Sequence, residues 1–230
     1  MVTISEAASR TTVANAGVIV SDWATAPDPE EAVVAAKTIG FPVAVKLCGD
    51  AIAHKTERGL LRLGIDSAEE VREAGIELLE AARPEDGSVE LLITAMARGD
   101  RELIAGLVRD PQFGPCVMLG VGGILAEVFA DVAFRLAPLG RKEAHDLLND
   151  LSAQALLGPF RGQPAVDREA LVDTICALSD LADDPDLVSI DLNPLIVVEG
   201  QPIAVDVLVE RRHLPSSGTF ETAATSGDPN

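Results

Sequence analysis

The sequence predicts an α/β fold in two parts, and three observations carry that prediction. Helix-start signals alternate with short apolar runs over residues 1–82. A group of strand-like runs then opens the second half. Between them lies the turn sequence Pro84-Glu85-Asp86-Gly87, read as the boundary between two lobes.

Residues 5–15 carry a helical pattern that stops at Gly17, and Val18 to Ala24 starts as a strand. Asp28-Pro29-Glu30-Glu31 places Asp at the N-cap, Pro at N1 and Glu at N3, so a helix runs from there to Ile39 and ends at Gly40. Val43 to Leu47 is apolar and β-rich. After a loop, Leu60 to Ile65 reads as the next strand. Ser67-Ala68-Glu69-Glu70 is a capping box for a helix to Ala82.

Past the turn, Val89 to Ala95, Glu102 to Arg109, Cys116 to Leu119 and Val132 to Leu136 read as strands. Helical patterns follow at 141–150 and 167–182, the second capped by Asp167. Leu187 to Leu192, Leu195 to Val198 and Ile203 to Val209 are expected as short strands. Asn193-Pro194 is expected to break the first from the second, and Gly200 to turn the next two into a hairpin. Residues 213–230 collect Ser, Thr, Gly, Asp and Pro and read as a disordered tail. The expected division is a first lobe at 1–86, a second at 87–212 and this tail.

Composition narrows the function classes. The 230 residues are 47% apolar and 24% charged, as in globular proteins. A formal net charge of −19 argues against nucleic-acid or anionic-membrane binding. Tyrosine is absent and Trp23 is the sole tryptophan, which argues against a base-stacking surface. Cys48, Cys116 and Cys176 show no CxxC spacing, so neither a disulfide nor a zinc site is expected. No signal-like or membrane-length apolar run occurs, and a cytoplasmic protein is expected.

In so acidic a chain, cationic sites must be local, which singles out Lys46, Lys55, Arg109 and Arg135. Lys46 ends an apolar run, so its ammonium emerges where a strand gives way to a loop. His54 and Lys55 follow in that loop. Ammonium and imidazolium groups donate to phosphate oxygens, and such a cluster suits a phosphate-bearing ligand. The same pattern also describes a lysine stretching its head to solvent from a strand end.

Gly120-Val121-Gly122-Gly123 is neither a P-loop nor GxGxxG. It reads either as a tight turn or as a loop whose N–H groups approach an anion. Asp191-Leu192-Asn193-Pro194 and Val205-Asp206 place an amide and a carboxylate on neighbouring strands. Such hard oxygens hold Mg²⁺ alongside substrate phosphates. On spacing alone, an Asx-Pro turn capped by Asn193 with a solvated Asp206 is the better fit.

Taken in order, Phe41-Pro42-Val43-Ala44-Val45-Lys46, His54-Lys55-Thr56-Glu57, Arg109-Asp110-Pro111-Gln112-Phe113-Gly114-Pro115, Gly120-Val121-Gly122-Gly123-Ile124, Phe134-Arg135-Leu136-Ala137-Pro138-Leu139 and Asp191-Leu192-Asn193-Pro194-Leu195 resemble the ATP-grasp (β) subunit of ADP-forming acetate–CoA ligases, the NDP-forming acyl-CoA synthetases. The resemblance spans roughly residues 3–210.

It implies a two-lobed ATP-grasp fold, with nucleotide between antiparallel sheets. Lys46 then matches the lysine on the nucleotide phosphates. Thr94, Ala95, Met96 and Ala97 match the hinge that reads adenine through backbone groups, and Glu102 the acid near the ribose. Gly120, Gly122 and Gly123 match the glycine loop facing phosphate. Asn193 and Asp206 match Mg²⁺ ligands, and Asp191 the carboxylate that steadies a phosphohistidine. His54, with Lys55, matches a loop histidine that relays phosphate.

The implied reaction is acyl-CoA + ADP + phosphate ⇌ carboxylic acid + CoA + ATP. Mg²⁺ is its cofactor, ATP or ADP its substrate, and a CoA-binding α subunit its partner in a heterotetramer. A non-turnover regulatory or scaffold domain, or part of a protein acyltransferase, is the alternative.

Overall fold

A computed structural model of the chain describes residues 1–50, 52, 58–123, 131–159 and 162–212. The chain starts with β1 (Val2–Thr3), α1 (Glu6–Asn15), β2 (Trp23–Ala26), α2 (Pro29–Ile39) and β3 (Val43–Cys48). β4 (Leu61–Ile65), α3 (Ala68–Glu80) and β5 (Glu90–Ala95) follow. The rest comprises β6 (Glu102–Asp110), β7 (Gly114–Val121), β8 (Val132–Leu136), α4 (Arg141–Asp150) and α5 (Arg168–Asp180), then β9 (Leu187–Val198), β10 (Gln201–Ala204) and β11 (Val207–Arg211).

The helix starts lie where the caps put them. The Asp28 carboxylate accepts from the N–H groups of Glu30 and Glu31, Ser67 from Glu70, and Asp167 from Glu169 and Ala170. Each satisfies donors that the first turn leaves without a helical partner.

The strands form two antiparallel sheets. One has four strands in the order β2-β5-β3-β4. Its Val43, Val45, Leu47, Leu91 and Ile93 pack against α2 and α3. The other has seven, in the order β1-β11-β9-β6-β7-β8, with β10 paired to β9. Its Leu103, Leu107, Val117, Leu119, Ile190 and Leu192 pack against α4 and α5. This is the mixed helix-and-sheet architecture expected of an ATP-grasp domain.

The expected division at residues 86 and 87 does not follow the sheets. β5 lies in the four-stranded sheet, paired on either side with β2 and β3, so the chain leaves that sheet after Ala95. At the other end, β1 pairs with β11 and belongs to the seven-stranded sheet. A turn sequence marks a reversal of direction, not which sheet the next strand joins.

Two strand expectations change as well. Asn193-Pro194 does not break a strand, because β9 runs through it to Val198. The proline sits at an irregularity in the β6–β9 ladder, between the Leu103 and Ala105 pairings. There its missing N–H is tolerated as at a bulge. The stretch from Ile203 to Val209 is two strands, with a corner at Val205-Asp206. The hairpin at Gly200 is present, with Glu199 and Gly200 at φ 49° and 90°, a two-residue turn suited to β-hairpins. Residues 213–230, expected as a tail, lie outside the described residues.

Candidate functional site

Strand alternation aims the first site residue. Val43, Val45 and Leu47 of β3 enter the core beneath α2 and α3. Lys46 therefore points to the opposite face, where α1 lies: Ala7 of α1 packs there on Cys48, Leu92 and Trp23. Lys46 is only 5% exposed. Its Nζ donates to Glu6 Oε1 at 2.6 Å and to Asp206 Oδ1 at 3.4 Å. The amine is thus buried and paired, not extended to bulk solvent.

The acidic residues arrive from the other sheet. In β9, Ile190 and Leu192 are buried, so Asp191 and Asn193 project from the face away from α4 and α5. β11 pairs beside them, Val207 opposite Leu192. The Asn193 N–H donates to the Asp206 carbonyl at 3.3 Å. The Val207 N–H donates to Asp206 Oδ1 at 3.1 Å, which fixes that carboxylate at the corner. Burial pushes the Asp191 carboxyl above the usual carboxylate range, the charge of Asp206 adds to this, and a hydrogen bond with Asn193 opposes it. The Asp191 side chain is nonetheless exposed on its face of β9.

Lys46, Asp191, Asn193 and Asp206 are thereby brought together from two sheets. Among the described residues no three His, Cys, Asp or Glu side chains form a metal cage. The Asp206 carboxylate and the Asn193 amide instead fit Mg²⁺, which usually takes one or two protein oxygens plus substrate phosphates.

A second group meets at the start of β6. Glu102, Gly122 and Gly123 line a cavity of about 110 Å³ together with Asp100, Val121 and Leu156. Gly122 is required by close approach to backbone, and Gly123 by its positive φ. A Cβ on Gly122 would lie 3.0 Å from the Leu103 carbonyl, and one on Gly123 would lie 2.9 Å from Glu102 Oε2. Gly123 also has φ 65°. Gly120 sits one strand row further in, with Val132 2.9 Å from where its Cβ would be.

The residues expected as the hinge span the end of β5 and the two positions after it. Thr94 is buried. The Ala95 N–H donates to the Asp22 carbonyl at 2.8 Å and the Met96 N–H to the Pro42 carbonyl at 3.3 Å. Both donors are occupied by protein in this state, and Ala97 continues the connection to β6.

His54 and Lys55 lie outside the described residues. Arg58, just beyond them, grips Asp86 with bonds of 2.7 and 2.8 Å. That grip, chiefly, holds the Asp86 carboxyl down at about 2.

Two cationic candidates are structural. Arg109 donates to the carbonyls of Leu187, Ala182 and Asp184, tying the end of α5 to β9. Arg135 pairs with Asp150 and donates to its neighbour's carbonyl.

Sequence reasoning missed Glu6 and Arg10. Arg10 is fully buried. It donates to Glu6 Oε1 at 3.1 Å, to Ser21 and to the Val205 carbonyl, the residue before Asp206. Their spacing of four on α1 is the one signal that was available.

Comparison with known proteins follows this geometry. A family described as the ATP-grasp domain matches residues 2–210. The chain is 38% identical over 194 residues to the acetate–CoA ligase [ADP-forming] I subunit beta of Pyrococcus furiosus, covering 83% of this chain and 84% of that one. It is 36% identical to acetate–CoA ligase [ADP-forming] I of Archaeoglobus fulgidus, of which it covers 28%. Among solved structures it is similar to the dinucleotide-forming acetyl-coenzyme A synthetase 1 of Ca. Korarchaeum cryptofilum, with TM-score 0.76, 35% identity, and 90% and 92% of the two chains covered. That structure holds coenzyme A and Mg-AMPPCP, with a phosphohistidine segment pointing towards its nucleotide binding site.

Proposed function

Since the chain belongs to the ATP-grasp family, among the β subunits of ADP-forming acetate–CoA ligases, we propose that its own sites carry the phosphoryl half-reaction of that enzyme. The reaction is carboxylic acid + CoA + ATP ⇌ acyl-CoA + ADP + phosphate. This chain's part is transfer of the γ-phosphoryl group between ATP and a histidine. The histidine nitrogen attacks phosphorus, the bond to the β-phosphate oxygen breaks, and ADP leaves.

The observation that carries this reading is the Lys46–Asp206 contact between the two sheets, with Asn193 and Asp191 beside it. Phosphoryl transfer needs positioning and charge neutralisation more than covalent help. Lys46 supplies a fixed positive charge for phosphate oxygens. Asn193 and Asp206 would hold Mg²⁺, which neutralises phosphate charge when bound. Asp191 accepts from, and so orients, an incoming imidazole. Glu102 faces the ribose, residues 94–97 border adenine, and Gly120, Gly122 and Gly123 bring backbone close to the phosphates. His54 and Lys55 are placed here by resemblance, as a relay for phosphate.

The acyl and CoA chemistry falls to a CoA-binding partner. The support is that this chain spans 28% of a single-chain relative and 84% of one named a β subunit.

The test mixes the chain with its CoA-binding partner and γ-labelled Mg-ATP. Acid-labile label should move to a histidine, and acid plus CoA should then discharge it as acyl-CoA. Acyl-CoA formation by this chain alone, or label that never leaves ATP in the complex, rejects the reading.

A further inference from the structure

We infer that Glu6 is a positioning residue for this reaction, setting Lys46 from outside the nucleotide site; the inference rests on Lys46 and Asp206 being the phosphate and metal groups proposed above. Glu6 Oε1 accepts from two buried cations at once, Lys46 Nζ at 2.6 Å and Arg10 Nε at 3.1 Å. The side chains of Glu6 and Arg10 are 2% and 0% exposed. Both are sealed from solvent, and they bond to protein groups.

Their helix touches both sheets. Ala7 packs on Cys48 and Leu92 of the four-stranded sheet, while Val209 of β11 donates its N–H to Ser9 at 3.2 Å. Arg10 extends the same network to the Val205 carbonyl and thereby holds the corner that carries Asp206. One short helix thus fixes Lys46 from one sheet and the Asp206 corner from the other.

The charges explain why Glu6 is needed. Lys46 faces two carboxylates, Glu6 and Asp206, and Asp191 lies beside the latter. The nearer bond, to Glu6, uses one of the three ammonium donors and the longer one, to Asp206, a second, which leaves one to point at phosphate. With Glu6 neutral, Asp206 becomes the stronger attraction. Lys46 then moves onto the carboxylate that Mg²⁺ requires, and one displacement removes both a phosphate donor and a metal ligand.

The test is a double-mutant cycle on the full chain, read as Mg-ADP affinity by calorimetry. Glu6→Gln, nearly the same shape, should weaken Mg-ADP about tenfold or more, the scale of one charge-assisted hydrogen bond. In a Lys46→Met background the same change should do nothing further. If Lys46→Met weakens binding while Glu6→Gln binds like the parent, Glu6 does not position Lys46, and the nucleotide site stands. A Glu6→Gln loss that persists in the Lys46→Met background makes Glu6 a general structural residue and equally overturns the inference. If Lys46→Met itself binds like the parent, the underlying site is wrong and this inference falls with it. Should Glu6→Gln fail to fold, the paired Glu6→Met and Arg10→Met change removes both buried charges together, and the same cycle decides.

Discussion

At the Lys46–Asp206 contact one side chain is 7% exposed and the other 54%. The basic end lies in a strand buried along its whole length, and its charge is already answered by Glu6. The acidic end lies at a corner open to water, where Asp206 and Asp191 repel each other. The basic end is complete without a ligand. The acidic end carries the like charges, and it is where the divalent cation is proposed to sit.

Four substitutions break or sharpen that contrast. Arg10→Met has the largest expected effect, because Arg10 supports Glu6 and the Asp206 corner together. Glu6 keeps Lys46, but the Ser21 and Val205 carbonyls lose their donor, and each buried acceptor left unsatisfied costs about 1–3 kcal/mol, which denaturant unfolding should register. A loss under about 1 kcal/mol would show that the network is not a support. Lys46→Met comes next, weakening Mg-nucleotide binding by about 1.5–3 kcal/mol in calorimetry, as one charged hydrogen bond does.

Asp206→Ala should separate metal from nucleotide. Binding with Mg²⁺ should fall more than binding without it, while stability changes by no more than about 1 kcal/mol, as for exposed pairs. Equal losses with and without metal would remove Asp206 from the metal site.

The smallest effect is expected from Asp191→Asn. The Asp191 carboxyl is raised, so the folded protein holds that proton more tightly than the unfolded chain does. Its contribution is full below the ordinary carboxylate range and is lost as pH climbs through the raised value. Asn carries no such penalty. The variant should melt slightly higher than the parent at pH 7, and the gap should close towards about pH 3. A gap independent of pH would mean that the charge is not responsible.

What could be read from sequence divides along the same line. Local chemistry was legible: Asp28, Ser67 and Asp167 cap the helices they were expected to cap. The ordered motifs gave the family and its fold. Non-local pairing was not legible. Nothing near Pro194 announces that β9 changes partner there from β11 to β10 and so survives a proline. Nothing near Glu90 says that β5 turns back into the first sheet. Arg10 looks like a solvated helix arginine because its acceptors, Ser21 and Val205, lie 11 and 195 positions away. Lys46 was expected on phosphate by resemblance, and its burial depends on a carboxylate 40 residues upstream.

The pairing of β1 with β11 has an architectural consequence. Val2 lies opposite Arg211 at one margin of the seven-stranded sheet, so residues from the two extremes of the domain leave it side by side. A covalent tether attached at either extreme would depart from the same place. Joining this domain to another polypeptide by gene fusion, or separating them into two genes, therefore asks little of the intervening linker, whichever order the genes take. Related ligases occur both as a β subunit and as a chain of which this domain matches about a quarter, and a margin shared by both extremes is a geometry in which either arrangement can be built.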